Sequence, residues 1–116
     1  MSVKHIQDIP TEAVPNATGV TKAVLIPAEE GPNFAMRKFS IQPGGSMPLH
    51  TNLVEHAHYV LRGKARVRLG EEILEVAAGD IVFIPADLPH YYVNIADEPF
   101  EFLCLIPNKE DKTTLL

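Results

Sequence analysis

Turn-forming residues interrupt this chain so often that no long helix fits between them. Ten prolines and seven glycines fall within 116 residues, and their turn signals recur roughly every eight to twelve residues. No segment keeps a helical hydrophobic period over about ten residues. Eight short runs have the length and composition of strands: 22–26, 34–41, 59–61, 64–69, 73–76, 81–84, 90–94 and 100–106. This pattern predicts an all-β sandwich or barrel.

Composition divides the chain into three parts. Residues 1–20 are polar and broken by prolines, and we expect an N-terminal arm there with at most one short edge strand. Residues 21–107 hold the strand-like runs and are predicted to form a single β-barrel domain. Residues 108–116 are charged and are expected to form a frayed C-terminal tail. The length suits one domain with a hydrophobic core that needs no disulfide bonds.

Charge and cysteine content narrow the possible partners and location. Ten basic and fifteen acidic residues give a net charge of −5, and no Lys/Arg cluster is present beyond the alternating Lys64, Arg66 and Arg68. These features argue against a nucleic-acid partner or an anionic membrane surface. No apolar run approaches membrane-spanning length, and the N-terminus lacks the apolar segment of a signal peptide. The single cysteine, Cys104, is expected at a buried strand position. A chain with one cysteine has no internal disulfide bond, which fits a protein of the reducing cytoplasm.

Four of the five histidines lie where a turn leads into a strand, in HTNLVEHAHYVLRG from residue 50 and PADLPHYYVN from residue 85. Alternate residues of a strand face the same side, so three sets of side chains are expected to point into one cavity. They are His50 with Asn52, His56 with His58 and Val60, and His90 with Tyr92 and Asn94. Neutral imidazoles that converge from rigid strands predict a divalent metal site. His5, alone in the arm, is interpreted as an ordinary surface residue.

The first of these stretches resembles a motif of the cupin family. That motif reads G-x5-H-x-H-x3-[E/Q/H]-x6-G. In this chain Gly44, His50, Asn52, His56 and Gly63 occupy its fixed positions with every interval kept. The residue that is usually glutamate is a histidine here, as in a subgroup of small single-domain cupins.

The second stretch resembles the other cupin motif, G-x5-P-x-G-x2-H-x3-N. Gly79, Pro85, His90 and Asn94 fall on its positions, while Asp87 replaces its internal glycine. Asp tolerates unusual turn conformations, so this replacement is expected to change only the turn. The two motifs together cover residues 44–94.

The resemblance implies a jelly-roll β-barrel that binds a divalent metal ion (Mn, Fe, Ni or Zn). Carried over by position, its metal ligands are His50, Asn52, His56 and His90. Asn52 stands where the family usually has a histidine, and three arrangements are open. Asn52 binds the metal through its amide oxygen, or it leaves a coordination position that water fills, or His58 takes its place as a ligand. We favour His58 as a deeper cavity residue, and we take it together with Tyr92 as a contact for a substrate.

All four candidate ligands are neutral, so a bound ion would present its full positive charge to an anionic oxygen. The expected function is a metal-dependent enzyme of dioxygenase, isomerase or lyase type acting on a small polar or anionic molecule. A non-catalytic small-molecule-binding module is the alternative. Arg37, Arg62 and Arg68 are candidates to hold a substrate anion, although a solvated strand face is the default expectation for each. The resemblance to small cupins also implies a homodimer, in which the N-terminal arm packs on the partner subunit.

Overall fold

The computed structural model describes residues 1–116 and contains one helical turn and eleven strands. The turn is a 3-10 helix at Ile6–Asp8. The strands are β1 (Thr11–Ala13), β2 (Thr18–Ile26), β3 (Phe34–Ser46), β4 (His50–Asn52), β5 (His56–Arg62), β6 (Lys64–Leu69), β7 (Glu72–Ala77), β8 (Ile81–Ile84), β9 (His90–Asn94), β10 (Phe100–Pro107) and β11 (Thr113–Leu115). The all-β prediction is therefore confirmed. No helix is long and apolar enough to cross a membrane.

All eleven strands belong to one antiparallel sheet that curls into a jelly-roll barrel. The main path runs β11-β4-β9-β3-β10-β5-β8. The strand β2 pairs with the opposite side of β3, and the β6–β7 hairpin pairs through β6 with β9. Because β3 pairs with β2, β9 and β10, and β9 pairs with β3, β4 and β6, the sheet curls around a single interior.

The register of three central strands builds an apolar layer in that interior. Phe102 of β10 lies opposite Phe39 of β3 on one side and Val60 of β5 on the other. The two phenyl rings stack with centroids 5.3 Å apart. In the next layer Phe100 lies opposite Ile41, and both are fully buried. This apolar layer forms the centre of the hydrophobic core.

The same register continues into a polar row. Two residues beyond Phe102, Cys104 lies opposite Arg37 of β3 and His58 of β5. Side chains of one row face the same side of the sheet, so a thiol, a guanidinium and an imidazole stand together above the aromatic pair. One end of the barrel interior is therefore apolar and the other is polar.

Residues 43–45 form a bulge inside β3 rather than a turn between two strands. Pairing with β2 passes from Ile41–Val20 to Ser46–Thr18, so β3 carries extra residues there. Gly44 has a φ of 78°, which allows the sharp bend. Beyond the bend β3 leaves β10 and pairs with β9. The sequence Pro43-Gly44-Gly45 therefore marks the place where β3 stops pairing with β10 and begins to pair with β9.

Both ends of the chain join the sheet. The arm contributes β1 and the start of β2, and Val20 within it is buried. The C-terminal residues 113–115 pair with β4, so the expectation of a frayed tail was wrong. Two threonines give this segment the β-branched composition of a strand, and backbone pairing with β4 satisfies its amides.

Left-handed backbone occurs at the motif positions. Gly63 and Gly79 have φ values of 84° and 93°, a region that favours glycine. Asp87, which stands in place of the motif glycine, also has a positive φ of 66°. The prediction that aspartate replaces glycine without losing the turn is thus in agreement with the backbone.

The two glycines differ in what surrounds them, which allows a matched test. A Cβ at Gly63 would lie 2.4 Å from the carbonyl oxygen of Pro99, whereas a Cβ at Gly79 would meet nothing within 4 Å. Gly79→Ala should cost only the left-handed strain, about 1–2 kcal/mol in the free energy of unfolding. Gly63→Ala should cost roughly 3 kcal/mol or more because backbone must move as well. Urea unfolding measures both, and equal losses would contradict the steric argument.

Candidate metal centre

A cavity of about 290 Å³ opens at the polar end of the barrel. Its volume is close to the lower end of ordinary small-ligand sites. The inward faces predicted from strand periodicity are confirmed, since alternate residues of β5 and β9 are buried. The six residues predicted from the sequence as metal ligands or substrate contacts line this cavity: His50, Asn52, His56, His58, His90 and Tyr92. Val60 and Asn94, also expected to face it, do not line it.

His50 and His90 face each other across the β4–β9 pair, with ring centroids 4.1 Å apart. Nδ1 of His50 lies 2.7 Å from the carbonyl oxygen of Pro48, and Nδ1 of His90 lies 2.8 Å from that of Leu88. A carbonyl only accepts hydrogen bonds, so each Nδ1 carries a proton and donates it. In the neutral imidazole this leaves the lone pair of Nε2 free, which is the arrangement that metal-binding histidines use.

His56 presents a third imidazole to the cavity. Its Nε2 is buried and has no hydrogen-bond partner, while its Nδ1 lies 3.6 Å from Sγ of Cys104. Burial, together with the nearby positive charge of Arg37, lowers the pKa of His56 to about 4. Burial likewise lowers the pKa of His90 to about 4. Both rings are therefore neutral near pH 7 and able to bind a cation.

Asn52 presents an amide oxygen. Its Nδ2 donates to Oγ1 of Thr113 at 2.9 Å and to Oδ2 of Asp111 at 3.3 Å. A carboxylate only accepts hydrogen bonds, which fixes the amide orientation. Oδ1 is then left buried without a partner. The atom that Asn52 offers is thus the one that ligates divalent metals.

Asp111 also fastens the C-terminal segment to the loop after β4. Its Oδ1 accepts hydrogen bonds from the backbone N–H groups of Leu53 at 2.8 Å, Val54 at 3.4 Å and Lys112 at 2.8 Å. Sequence reasoning missed Asp111 and Thr113, which lie about sixty residues from Asn52 along the chain. Only the paired threonines at 113 and 114 signalled a strand in this charged tail.

His58 and Tyr92 form a second polar pair on the cavity wall. Nδ1 of His58 lies 2.8 Å from Oη of Tyr92. Burial raises the pKa of Tyr92 and lowers that of His58 well below its ordinary value, so both are neutral. Nε2 of His58 is buried without a partner. Whichever ring nitrogen carries the proton, Nε2 remains for a ligand, as a donor or an acceptor.

A second set of metal-binding atoms shares His56. One ligand atom from each of His56, His58 and Cys104 lies within 4.8 Å of the others, and all three residues are buried. Burial raises the pKa of Cys104, and Nη2 of Arg37 donates to its Sγ at 3.2 Å. A cation in this set would lie beside the Arg37 guanidinium, and the Cys104 thiol would have to lose its proton to bind it. Electrostatics therefore favour the set made of His50, Asn52, His56 and His90.

The default expectation of a solvated strand face is wrong for Arg37. Its side chain lines the cavity, and its guanidinium carbon lies 4.9 Å from the centre of the Phe39 ring. A signal was available, because Arg37 precedes the core residues Phe39 and Ile41 by two and four positions on one strand face. Arg62, by contrast, lies on an exposed face.

Comparison with known proteins identifies the family. The family model described as a cupin domain matches residues 37–106, which is more than half of the chain. The chain belongs to the cupin family. The metal site that the resemblance implied is compatible with this result, since members of the family often bind metals.

Three relatives show how close the similarity is. A 1-methylthio-D-xylulose 5-phosphate methylsulfurylase from Rhodospirillum rubrum is 32% identical over 83% of this chain, which spans 61% of that protein's length. The structure of a polyketide cyclase from Streptomyces resistomycificus superposes with a TM-score of 0.89 at 31% identity, covering all of this chain and 87% of the other. A cupin-2 domain protein from R. rubrum superposes with a TM-score of 0.88 at 28% identity, covering 99% and 80%. Homologues of this chain thus include enzymes.

The lowered pKa values predict how stability depends on pH. Unfolded histidines have a pKa near 6.5, whereas His56 and His90 have a pKa of about 4 when folded. Between these values the unfolded state binds more protons, so the free energy of unfolding should fall as pH drops from 6.5 to 4. Urea unfolding of chelator-treated protein measures this slope.

The matched variant is His56→Gln/His90→Gln, which removes both groups and keeps polar side chains at both positions. It should lose less stability than the parent between pH 6.5 and pH 4. Carboxylates titrate in both proteins, so their contribution cancels in the difference. Identical slopes in parent and variant would contradict the assignment.

Proposed function

We propose that the protein is a metal-dependent cupin enzyme of dioxygenase, isomerase or lyase type that acts on a small anionic molecule. One observation carries the proposal. Four residues line one cavity and each has a free or unpartnered donor atom: His50, Asn52, His56 and His90. Unsatisfied buried polar atoms are costly, so their presence around one cavity favours a bound ligand.

The donor set suits a divalent cation of the first transition row. Three neutral imidazoles and one amide oxygen match the preferences of Mn, Fe, Ni and Zn. Three of the four donors are oriented by a hydrogen bond on their far side, to a backbone carbonyl for His50 and His90 and to Asp111 for Asn52. When bound, such an ion would supply Lewis-acid chemistry, or oxygen chemistry if it is redox-active.

The proposed substrate is small and anionic. The cavity of about 290 Å³ admits only a small molecule, and the neutral donors leave an ion's charge uncompensated. The methylsulfurylase relative is named for a phosphorylated substrate, which is also anionic. Within the cavity we assign the Nε2 atom of His58 to substrate contact and the Tyr92 hydroxyl to orienting that ring.

A non-catalytic binding module is the second candidate. The observation that favours it is Asn52, because an amide oxygen is a weaker donor to these metals than an imidazole. In that case the cavity would hold a small anion through its polar wall alone. Metal content distinguishes the two candidates.

Elemental analysis of untagged protein purified without added metal tests the proposal. We expect near-stoichiometric Mn, Fe, Ni or Zn in the parent and loss of at least about nine-tenths of it in His90→Ala, because one of four donors is removed. His5→Ala, an exposed histidine in the arm, is the control and should keep the metal. Absence of metal even after adding each ion would favour the binding module.

Cys104→Ala separates the two candidate donor sets. The proposal expects this variant to keep its metal, since the thiol belongs only to the set with His56 and His58. Loss of metal in Cys104→Ala together with retention in His90→Ala would assign the ion to the other set. A redox-active ion in the parent would favour dioxygenase chemistry, and a redox-silent one would favour isomerase or lyase chemistry.

The homodimer also stays a proposal, supported by an exposed apolar face. Strand β8 is an edge of the main sheet path, and its outward residues Ile81 and Phe83 are 77% and 55% exposed. Tyr59 of β5 lies opposite Ile81 and is exposed as well. Neighbouring apolar side chains on an edge strand typically need covering, and we propose that a second copy of the chain covers them.

Light scattering after size-exclusion chromatography tests this arrangement. The parent should have twice the mass of the 12.8 kDa chain, and Phe83→Glu should shift it to the monomer because a charge would be buried in the contact. Leu53→Glu, an exposed leucine in the loop after β4, is the control and should stay dimeric. A monomeric parent at working concentration would refute the dimer.

A further inference from the structure

Arg37 is a partly buried cation without a carboxylate partner. The ion pairs of the structure use other cations, namely Lys4, Lys22, Lys38 and Arg62. Nη2 of Arg37 donates to the Sγ of Cys104, which burial keeps protonated. Its Nε is buried and donates to nothing. A guanidinium in such surroundings is costly unless an anion accompanies it.

The cavity supplies no such anion from the protein itself. Asp111 is the only acidic residue that lines it, and its two oxygens accept hydrogen bonds from one amide side chain and three backbone N–H groups. Lys22, a second cation on the cavity wall, is 3.7 Å from the largely exposed Glu12. Two cations therefore line the cavity against one carboxylate, and that carboxylate forms no ion pair with Arg37.

We propose that Arg37 anchors a carboxylate group of the ligand, an inference that rests on the proposed function in placing that ligand in the same cavity. The guanidinium lies on the inner face of β3, two residues from Phe39, whose ring it covers. Its planar fork matches a carboxylate in shape and charge. The remainder of the ligand then faces the donor atoms of His50, His56 and His90.

The fold favours a carboxylate over a phosphate. Phosphate sites commonly use helix N-termini or runs of backbone N–H groups. The only helix here is the three-residue turn Ile6–Asp8, and most residues of the cavity wall belong to strands. A single guanidinium beside the Phe39 and Phe102 rings suits a planar acid group on a small carbon skeleton.

Calorimetric titration with malonate tests the inference in two states of the protein, chelator-treated and loaded with the ion found by elemental analysis. Arg37→Gln should raise the Kd for malonate by about tenfold or more in both states, because a charge-assisted contact is lost. Arg37→Lys should give an intermediate Kd, since it keeps the charge without the planar fork. Arg62→Gln, on an exposed strand face, is the control and should match the parent.

A measurement on the unmodified protein guards against misfolded variants. The NMR signal of the Arg37 Nε–H group should shift on addition of malonate and respond less to inorganic phosphate at equal concentration. Malonate binding that is unaffected by Arg37→Gln, with no shift of this signal, would overturn the inference. Preference for phosphate over malonate would overturn the assignment to a carboxylate.

The two states separate this inference from the proposed function. Arg37-dependent malonate binding by a protein that never retains metal would support the anchor while the metal-dependent enzyme fails. Stoichiometric metal with Arg37-independent malonate binding would overturn the anchor while the metal site stands. Dependence on Arg37 together with tighter binding in the loaded state would support both.

Discussion

The candidate site depends on the register of β10 between β3 and β5. That register stacks Phe39, Phe102 and Val60 in one layer and sets Arg37, Cys104 and His58 in the next. A slip of one residue would turn every inward side chain of the slipped strand to the outside. The apolar layer resists such a slip, because burial of its aromatic pair would be lost. Core packing thus fixes the positions of the polar atoms.

Because of this layering, one end of the barrel provides the hydrophobic core and the other end provides the candidate site. The apolar end buries large side chains completely, whereas the polar end buries donor and acceptor atoms that lack partners. Each such atom costs about 1–3 kcal/mol, which a well-packed core of this size can offset. A bound ligand would remove that cost. The polar end is therefore the part of the fold whose stability should respond most to occupancy.

Much of this arrangement follows from the sequence, and the exceptions have physical reasons. Strand periodicity gives the inward faces of His56, His58 and His90, because alternation is a local property. The same alternation also places Arg37 on the inward face, two residues before Phe39. The adjacent charged residue Lys38 obscures the alternation of polar and apolar residues there. Contacts such as Asn52 with Asp111 depend on tertiary pairing of β4 with β11, which no local pattern encodes.

Asn52 departs from the usual cupin histidine, and its surroundings explain how the position can still serve a metal. A carboxylate and a hydroxyl hold the amide nitrogen, which leaves the oxygen without a hydrogen-bond partner and increases its electron density. A histidine ligand is commonly supported by a carboxylate in the same way. Asp111 and Thr113 lie beyond residues 37–106 that match the family. The hydrogen bonds that orient Asn52 as a candidate ligand therefore come from a segment outside the shared motifs.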